Sequence, residues 1–358
     1  MLTTFDIWDQ ALLTDVITRP SPSSLGVGDP TDLLGDKLAP MNPIPSRVAK
    51  VRVQQLRPFG KGQFRAPDAT PALFKPPGDT YTEEIIELAL LDEMERIMEE
   101  DWIKLNSNDE NISRSVGRSI VDRGKILQLR NERLTEWMRW QAFQGELTVT
   151  YPTGSSLYIN YGLPTGHKPT TGTLWTDTTN SDPIADISTW SNLLADDSGF
   201  YGKHVHMTSK TYNLLINNTK IKNMINFYAS GANSVQRPRR EDLLNLFTSF
   251  AQDIDITVYD NGYRDVGATG YGRSSVTRYI PDYKVLLTTD YTLDGVRIAD
   301  TLDGQVTVSA GYNEVAIRQG FQAEVMLDHI SKTHFLRAAS ARIPRLIIPE
   351  AFLWATVG

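Results

Sequence analysis

The sequence predicts an α+β protein in which helices pack on mixed or antiparallel sheets. A long stretch from Val116 to Glu146 has the 3.6-residue period of a helix, and runs of alternating apolar and polar residues typical of strands lie on both sides of it. The chain has 358 residues and is 40% hydrophobic, which is enough for two or three packed units. A long central helix flanked by sheet regions is therefore expected.

Residues 1–46 are predicted to form an arm. A short amphipathic piece with Phe5, Trp8 and Leu12 opens the chain, and a stretch rich in Pro, Gly and Ser follows. This composition does not support long regular elements, yet its leucines are too apolar for a solvated linker. We expect the arm to lie across another surface, so that its deletion would abolish assembly but leave a soluble fold.

Residues 47–82 are predicted to form a protruding hairpin. Arg47–Val53 alternates as a strand does, and a second extended run at 63–78 returns after a turn. Pro67 and Pro71 confine the return strand to an edge. Because such a hairpin has no local core, its tip and return strand are expected to contact something outside the subunit. The predicted contact residues here are Lys61, Phe64 and Phe74.

An acidic helix is predicted from Thr82, as its N-cap, to about Leu105. Ile86, Leu90 and Met94 recur at the helical spacing. The segment is strongly acidic and the following helix is net basic, so contacts between the two can set the register within or between subunits. The carboxylate chosen for such a contact is Glu93.

The long helix is predicted to have an apolar face and a charged face. The apolar face consists of Val116, Ile120, Leu127, Leu134, Met138 and Ala142. The charged face consists of Arg118, Asp122, Lys125, Arg130, Glu132, Arg133, Glu136 and Arg139, among which short-range surface ion pairs are expected. From this helix, Arg130, Arg133 and Trp137 are predicted to contact other parts of an assembly. Gly145 is predicted to end the helix.

The remainder of the chain alternates between predicted strands and helices. Short strands joined by turns are expected at 147–183, followed by a helix that starts at Asp186. A strand at 203–208 precedes one helix from Ser209 and another at 239–250. The later strands are predicted at 255–260, 277–290 and 305–310 and at the apolar C-terminus.

No group of residues predicts catalysis, a metal site or a cofactor. His204 and His206 would project to the same side of a strand, but no third ligand is identifiable, so a structural role is favoured. Asp253 and Asp255 have the same spacing and are also interpreted as strand residues. The loop 267–272 does not fit a phosphate-binding motif. The basic cluster of Arg237, Arg239 and Arg240 is predicted to be a solvated or intersubunit face rather than a DNA patch.

The overall charge and composition limit the possible partners. The net charge of −7 gives no general attraction to nucleic-acid phosphate, and the absence of cysteine excludes disulfides and thiolate metal sites. The N-terminus lacks the pattern of a secretory signal, and no apolar run reaches the ~20 residues of a membrane span. Assembly in the cytoplasm and no membrane partner are expected.

Four stretches, taken in order, resemble the lambda-type major capsid protein E family of tailed phages. These are GKGQFRAPDATPALFKPPGD, LQLRNERLTEWMRWQAFQGELTVT, YIPDYKVLLTTDYTLDGVRIAD and the ending IPRLIIPEAFLWATV. None of them is a catalytic signature, so the resemblance rests on their order and spacing across most of the chain.

The resemblance implies a Hong Kong 97-type capsid fold, with a spine helix and peripheral and axial domains. The implied domains are an N-terminal arm at 1–46, an extended loop at 47–82, a peripheral domain at 83–185 and 306–358, and an axial domain at 186–305. Some proteins of this fold cross-link a loop lysine to a distant asparagine, but no acidic partner for Lys61 is identifiable, so cross-linking is not expected.

The function implied is that of a non-enzymatic major capsid protein, located in the virion capsid, that forms the icosahedral head shell around packaged double-stranded DNA. Its implied partners are copies of itself in hexamers and pentamers, a portal, a scaffold and a decoration protein, with only weak contact between the inner surface and DNA. Two alternatives remain open: a cellular nanocompartment shell, which shares the fold, and a β-rich tail-associated module that binds carbohydrate through the 147–183 stretch with its Trp175.

Overall fold

The computed structural model describes residues 10–18, 33–54, 81–151, 154–228, 239–249, 254–264, 276–311, 314–328 and 333–358. It confirms the α+β class. By packing, the chain divides into two units. Unit 1 comprises residues 1–51, 84–139 and 300–345, and unit 2 comprises residues 52–83, 140–299 and 346–358. These limits differ from those of the predicted peripheral and axial domains at 140–185, 300–305 and 346–358, and the domain assignment stays a prediction.

The helices of the described residues are distributed along the whole chain. They are α1 (Gln10–Thr18), α2 (Leu34–Leu38), α3 (Glu99–Leu105), α4 (Glu110–Phe143), α5 (Pro183–Ser198), α6 (Ser209–Asn217), α7 (Thr219–Tyr228) and α8 (Arg240–Ser249). Short 3₁₀ helices occur at Thr165–His167 and Pro349–Ala351.

The strands are short except for one near the C-terminus. The first group is β1 (Met41–Pro43), β2 (Val48–Gln54), β3 (Tyr81–Glu87), β4 (Ala89–Ile97), β5 (Glu146–Thr150), β6 (Ser156–Asn160), β7 (His204–Met207), β8 (Asp255–Val258), β9 (Gly262–Tyr263) and β10 (Thr277–Arg278). The second group is β11 (Lys284–Thr288), β12 (Thr292–Leu293), β13 (Val296–Arg297), β14 (Ala299–Asp303), β15 (Gln305–Gly311), β16 (Glu314–Gln319), β17 (Gln322–Asp328), β18 (Thr333–Leu346) and β19 (Phe352–Thr356).

Unit 1 is built on a five-stranded sheet centred on β18. Its order is β1-β14-β18-β17, and β4 also pairs with β18. Ala323 and Val325 of β17, Leu336 of β18 and Ile120 of α4 belong to one buried apolar cluster, so α4 covers one face of this sheet. The hairpin of β15 and β16 is a separate two-stranded sheet whose Val306 and Val308 are buried.

The prediction of an acidic helix from Thr82 to about Leu105 is wrong over most of this range. Residues 81–97 form β3 and β4, and only α3 is helical. β4 pairs with β18 in a continuous antiparallel register from Ala89 opposite Arg342 to Ile97 opposite His334. The spacing of four between apolar residues fits a period of two as well as a period of 3.6, so it does not distinguish a strand from a helix. Pairing with the central strand decides the outcome.

The long helix is confirmed, although it begins six residues earlier than the predicted stretch. Gly145 follows it with a φ of 92°, the left-handed conformation expected of a C-terminal stop. The assignment of its faces is partly wrong. Leu134, expected to be buried, is 44% exposed, whereas Glu136 and Arg139, expected on the surface, are fully buried.

The described part of the predicted arm packs on unit 1 of its own chain. Leu13 and Ile17 of α1 are buried in the core cluster of this unit. The Thr14 hydroxyl donates to the Ala323 carbonyl at 3.1 Å and accepts from the Ala323 amide at 3.0 Å, so α1 lies against β17. Deleting residues 1–46 would remove these contacts, and we now expect that deletion to unfold unit 1 rather than to leave a soluble fold.

The predicted hairpin at 47–82 is described only at its base. β2 confirms the outgoing strand and pairs with β3 in a two-stranded sheet. The return strand predicted at 63–78 lies outside the described residues.

Unit 2 is organised by a four-stranded sheet of order β19-β11-β7-β8. Helices α5 to α8 bury apolar side chains in one cluster with Val205, Val285 and Leu353 of this sheet. The strand predictions at 203–208 and 255–260 are confirmed, as is the pair β5 and β6 within 147–183. The helix predicted from Ser209 is two helices, α6 and α7, separated at Asn218.

Candidate functional site

The surface of α4 in unit 1 carries the charge contact that the sequence predicts. Arg130 Nε lies 2.7 Å from Glu93 Oε2 and its Nη2 lies 2.8 Å from Glu93 Oε1, so the pair is bidentate. The side chains are 47% and 43% exposed, and the hydrogen bond to Glu93 raises the pKa of Arg130 above its usual value. The acidic partner is thus a strand of the same chain rather than a helix.

We expect that reversing Arg130 to Glu will lower the free energy of unfolding by about 1 kcal/mol or less, since exposed pairs contribute little. The reversal Glu93→Arg in the same protein should restore most of this loss, because the pair is regenerated with opposite polarity. Urea denaturation of the wild type, the two single variants and the double variant measures the coupling. An absence of coupling would contradict the pairing.

The other predicted contact residues of α4 differ in their exposure. Arg133 is exposed, and Trp137 is partly buried. Both lie in unit 1, where Arg133 follows Arg130 by one turn. Their contribution to contacts between subunits stays a prediction, as does that of Glu93 and Arg130.

A charge cluster around the fully buried side chains of Glu136 and Arg139, near the end of α4, was missed by sequence reasoning. Arg139 Nη2 lies 2.7 Å from Asp36 Oδ1, and its Nε donates to the Thr301 hydroxyl at 2.8 Å. Its Nη1 is 3.5 Å from Glu136 Oε2, while Glu136 Oε1 accepts from the Gly35 amide at 2.8 Å. The cluster therefore connects α2, α4 and β14 within unit 1.

A second buried cluster surrounds Arg342 of β18. Its Nη1 lies 2.8 Å from Glu132 Oε1, and its Nε lies 3.3 Å from Asp303 Oδ1. Burial alone would lower the pKa of Arg342, but the two carboxylates outweigh it and the pKa is raised. Burial is also the largest cause of the raised pKa of Asp303, which Arg342 opposes. A strand with arginines between apolar residues, as at 339–346, is the only sequence signal of this cluster.

The ion pair between Arg345 and Asp300 stabilises the short parallel strand β1. Arg345 Nε donates to Asp300 Oδ1 at 2.8 Å, and the Asn42 amide donates to Asp300 Oδ2 at 2.7 Å. Met41 pairs with Thr301 in the backbone register of β1 and β14. Residues 36–42 are therefore held to unit 1 by side chains as well as by a strand.

The predicted basic cluster is only partly described, because Arg237 lies outside the described residues. Arg239 and Arg240 stand at the start of α8 in unit 2, and both are exposed. The Arg239 amide donates to Asp242 at 2.8 Å, which caps the helix, and Arg240 Nη2 donates to the Ile256 carbonyl at 2.8 Å. Arg240 thus has a structural contact in its own chain, and the intersubunit role of both residues stays a prediction.

The two strand histidines project to the same side of β7, as expected. His206 is fully buried, and neither ring nitrogen has a hydrogen-bond partner in the described structure. Burial, followed by the neighbouring His204, lowers the pKa of His206 to about 3. His204 stacks on Tyr291 with ring centroids 4.4 Å apart. Among the described residues, no group of three His, Cys, Asp or Glu side chains could hold a metal ion.

Trp175, on which the carbohydrate-binding alternative depends, is fully buried in unit 2. Its indole nitrogen donates to Asp186 at 2.9 Å, and its ring stacks on Trp190. A side chain in this position cannot stack on a sugar, so it contributes to the core.

Three predicted contact residues, Lys61, Phe64 and Phe74, lie outside the described residues. Of the helices that are described, none is both long and apolar enough to cross a membrane.

The family model described as "Phage major capsid protein E" matches residues 75–316, which is more than half of the chain. Comparison with curated proteins gave no significant match.

Two solved structures share the fold of the whole chain. A putative capsid protein of a prophage from Escherichia coli CFT073 aligns with a TM-score of 0.58 at 12% identity and covers 98% of this chain and 99% of that one. A phage-related protein from Bordetella bronchiseptica RB50 aligns with a TM-score of 0.54 at 13% identity and covers 97% and 96%. The predicted capsid fold is confirmed, whereas identities this low show nothing beyond the fold.

Proposed function

The chain belongs to the phage major capsid protein E family and is a capsid shell protein, and we propose that its copies close into the icosahedral head of a tailed phage around packaged double-stranded DNA. The observation that carries the proposal is the family match over residues 75–316. Copies close into a shell when each subunit offers different surfaces to its neighbours, and spreading the contacts over loops lets the shell withstand internal pressure.

The proposed assembly consists of hexamers and pentamers formed in the host cytoplasm. A portal, a scaffold and a decoration protein are its proposed partners, and DNA touches only the inner surface. We propose no enzymatic activity, because the described polar clusters are ion pairs that join elements of the same unit. The buried arginines of unit 1 are saturated by carboxylates and are not presented to a substrate.

The proposed contacts between subunits involve the loop 47–82 and two surfaces. The loop residues are Lys61, Phe64 and Phe74. The two aromatic side chains suit an interface, and Lys61 is chosen because it lies at the predicted tip of the loop. Unit 1 contributes the exposed Arg133 and the partly buried Trp137, together with Glu93 and Arg130, whose exposed pair can exchange partners at low cost. Unit 2 contributes Arg239 and Arg240.

Expression of the full chain followed by size-exclusion chromatography and electron microscopy tests the function. Empty megadalton shells would support it. A monomer or trimer with affinity for glycans would overturn it in favour of the tail-associated module. Shells that contain a loaded enzyme would overturn it in favour of the cellular nanocompartment.

Deleting residues 55–75 is expected to abolish shells while the subunit remains folded, because this segment lies beyond the paired part of β2 and β3. Chromatography measures the loss of particles, and circular dichroism with urea denaturation verifies the fold. A matched variant replaces the same residues by a Gly/Ser linker of equal length, which keeps the span but removes Lys61, Phe64 and Phe74. Shells of normal size from either variant would refute the role of the loop.

A further inference from the structure

The first half of α4 presents a polar stripe of exposed and partly buried side chains that no contact described above explains. We call it the α4 stripe. It consists of Asn111, Arg114, Ser115, Arg118, Ser119, Asp122 and Arg123. These positions are spaced by three and four residues, so they share one face of the helix. With Ile126, they line a shallow trough of about 550 Å³.

The α4 stripe is rich in hydrogen-bond donors. Three guanidinium groups, two hydroxyls and one amide can donate, and Asp122 is its one carboxylate. Arg114 binds Glu110. Arg123 lies near two carboxylates, with its Nη2 3.1 Å from Asp101 Oδ2 and its Nε 3.7 Å from Glu95 Oε1. Arg118 is exposed and makes no ion pair within the described structure.

The existing ion pairs of the stripe do not prevent it from binding an anion. The Glu110 side chain is 74% exposed, and those of Arg123 and Asp101 are 29% and 26% exposed. The exposed pair of Arg114 and Glu110 contributes little, and the pair of Arg123 and Asp101 is still in contact with water. A phosphate, which matches the guanidinium fork, can therefore replace these carboxylates or share the arginines with them.

We propose that the α4 stripe binds the phosphate backbone of double-stranded DNA weakly and without sequence preference. The inference rests on the proposed function, in which the shell encloses DNA. From Asn111 to Arg123 the stripe extends about 18 Å, at 1.5 Å per residue. Duplex DNA carries one charge per about 1.7 Å, so about ten phosphate charges lie along this length.

The side chains of the stripe favour this ligand over an acidic protein. The stripe has no aromatic residue, and Ile126 is the one large apolar side chain of the trough. Specific protein interfaces need a buried apolar core with aromatic anchors, whereas backbone contacts to DNA need only repeated donors. The absence of aromatic residues in the stripe also predicts no stacking on bases. The net charge of the chain, −7, keeps the binding weak.

Fluorescence anisotropy of a labelled duplex of about 20 base pairs, titrated with the full chain at about 50 to 200 mM salt, tests the proposal. Arg118→Gln is expected to weaken binding about threefold to tenfold at the lower salt and to reduce the salt slope by about one. The matched control is Arg96→Gln, an exposed arginine on β4 of the same unit, and it should bind as the wild type does.

Equal binding by the Arg118 variant and the wild type would overturn the proposal, and so would wild-type binding that does not respond to salt. Polyglutamate of matched charge serves as the acidic-protein probe. If it displaces the duplex at lower concentration than unlabelled duplex does, the stripe is a protein site and the proposal fails. Electron microscopy of the Arg118 variant should show normal shells. A wild type that remains a monomer or trimer with affinity for glycans would refute the proposed function whatever the result with DNA.

Discussion

Replacing Arg139 by leucine is expected to lower the free energy of unfolding of unit 1 by about 3–5 kcal/mol. The reason is that Glu136, which is fully buried, would lose its cation, and Asp36 and Thr301 would lose their hydrogen-bond donor. A buried carboxylate that has lost its cation is far more costly than a solvated one, and the hydrogen bond from the Gly35 amide to Glu136 does not neutralise its charge. The loss should also release α2, since Asp36 connects this helix to Arg139.

The measurement combines urea denaturation with hydrogen exchange of peptides from 33–46. Because the chain has two packed units, unfolding need not be two-state, and the exchange data identify the unit that is destabilised. Arg130→Leu is the matched control on the same helix, and its expected loss is about 1 kcal/mol or less. A similar small loss for Arg139→Leu, without faster exchange at 33–46, would contradict the stabilising role of the buried cluster.

Acidification is expected to destabilise unit 2 through His206. Its folded-state pKa is lowered to about 3, whereas an unfolded histidine titrates near 6.5. Between these values the unfolded chain binds a proton that the folded chain excludes. This loss of stability is therefore absent above about pH 6.5. Below that value the free energy of unfolding falls by about 1.4 kcal/mol for each pH unit, until about pH 3.

His206→Leu should flatten this pH dependence. Neither ring nitrogen of His206 has a hydrogen-bond partner in the described structure, so an apolar side chain of similar size loses no hydrogen bond there. The test is the difference in urea midpoint between wild type and variant at pH 7 and pH 5. Between pH 7 and pH 5, the free energy of unfolding of the variant should fall by about 2 kcal/mol less than that of the wild type. Parallel curves would show that His206 does not carry the acid sensitivity. The control His334→Leu changes a partly exposed histidine in unit 1, and it should leave the pH dependence of unit 2 unchanged.

Periodicity predicted the type of the long helix and of β7 correctly. It did not predict which of their side chains are buried, as Leu134 and Arg139 show. β4 was assigned to a helix because its apolar residues at intervals of four satisfy both periods. Its structure is determined by β18, whose paired residues lie more than two hundred positions away in the chain, and single-sequence reasoning has no access to such a partner.

The buried ion pairs could not be predicted for the same reason. Glu136 and Arg139 have the composition and spacing of a solvated helix face, and only Asp36, 103 residues away, shows that this face is covered. The surface pair of Arg130 was anticipated because opposite charges on two neighbouring segments are visible in the sequence. The family, by contrast, was predicted from the order of four sequence motifs. That order indicates the fold but does not identify individual contacts.

The contact between Thr14 and Ala323 has a consequence for the yield of particles. At Ala323 the edge of β17 would otherwise offer a backbone donor and a backbone acceptor to the sheet of another copy. With the Ala323 amide and carbonyl both occupied by one hydroxyl, that edge is a poor template for strand addition. Thr14→Val should therefore divert material from particles to amorphous aggregate, which light scattering during expression would detect.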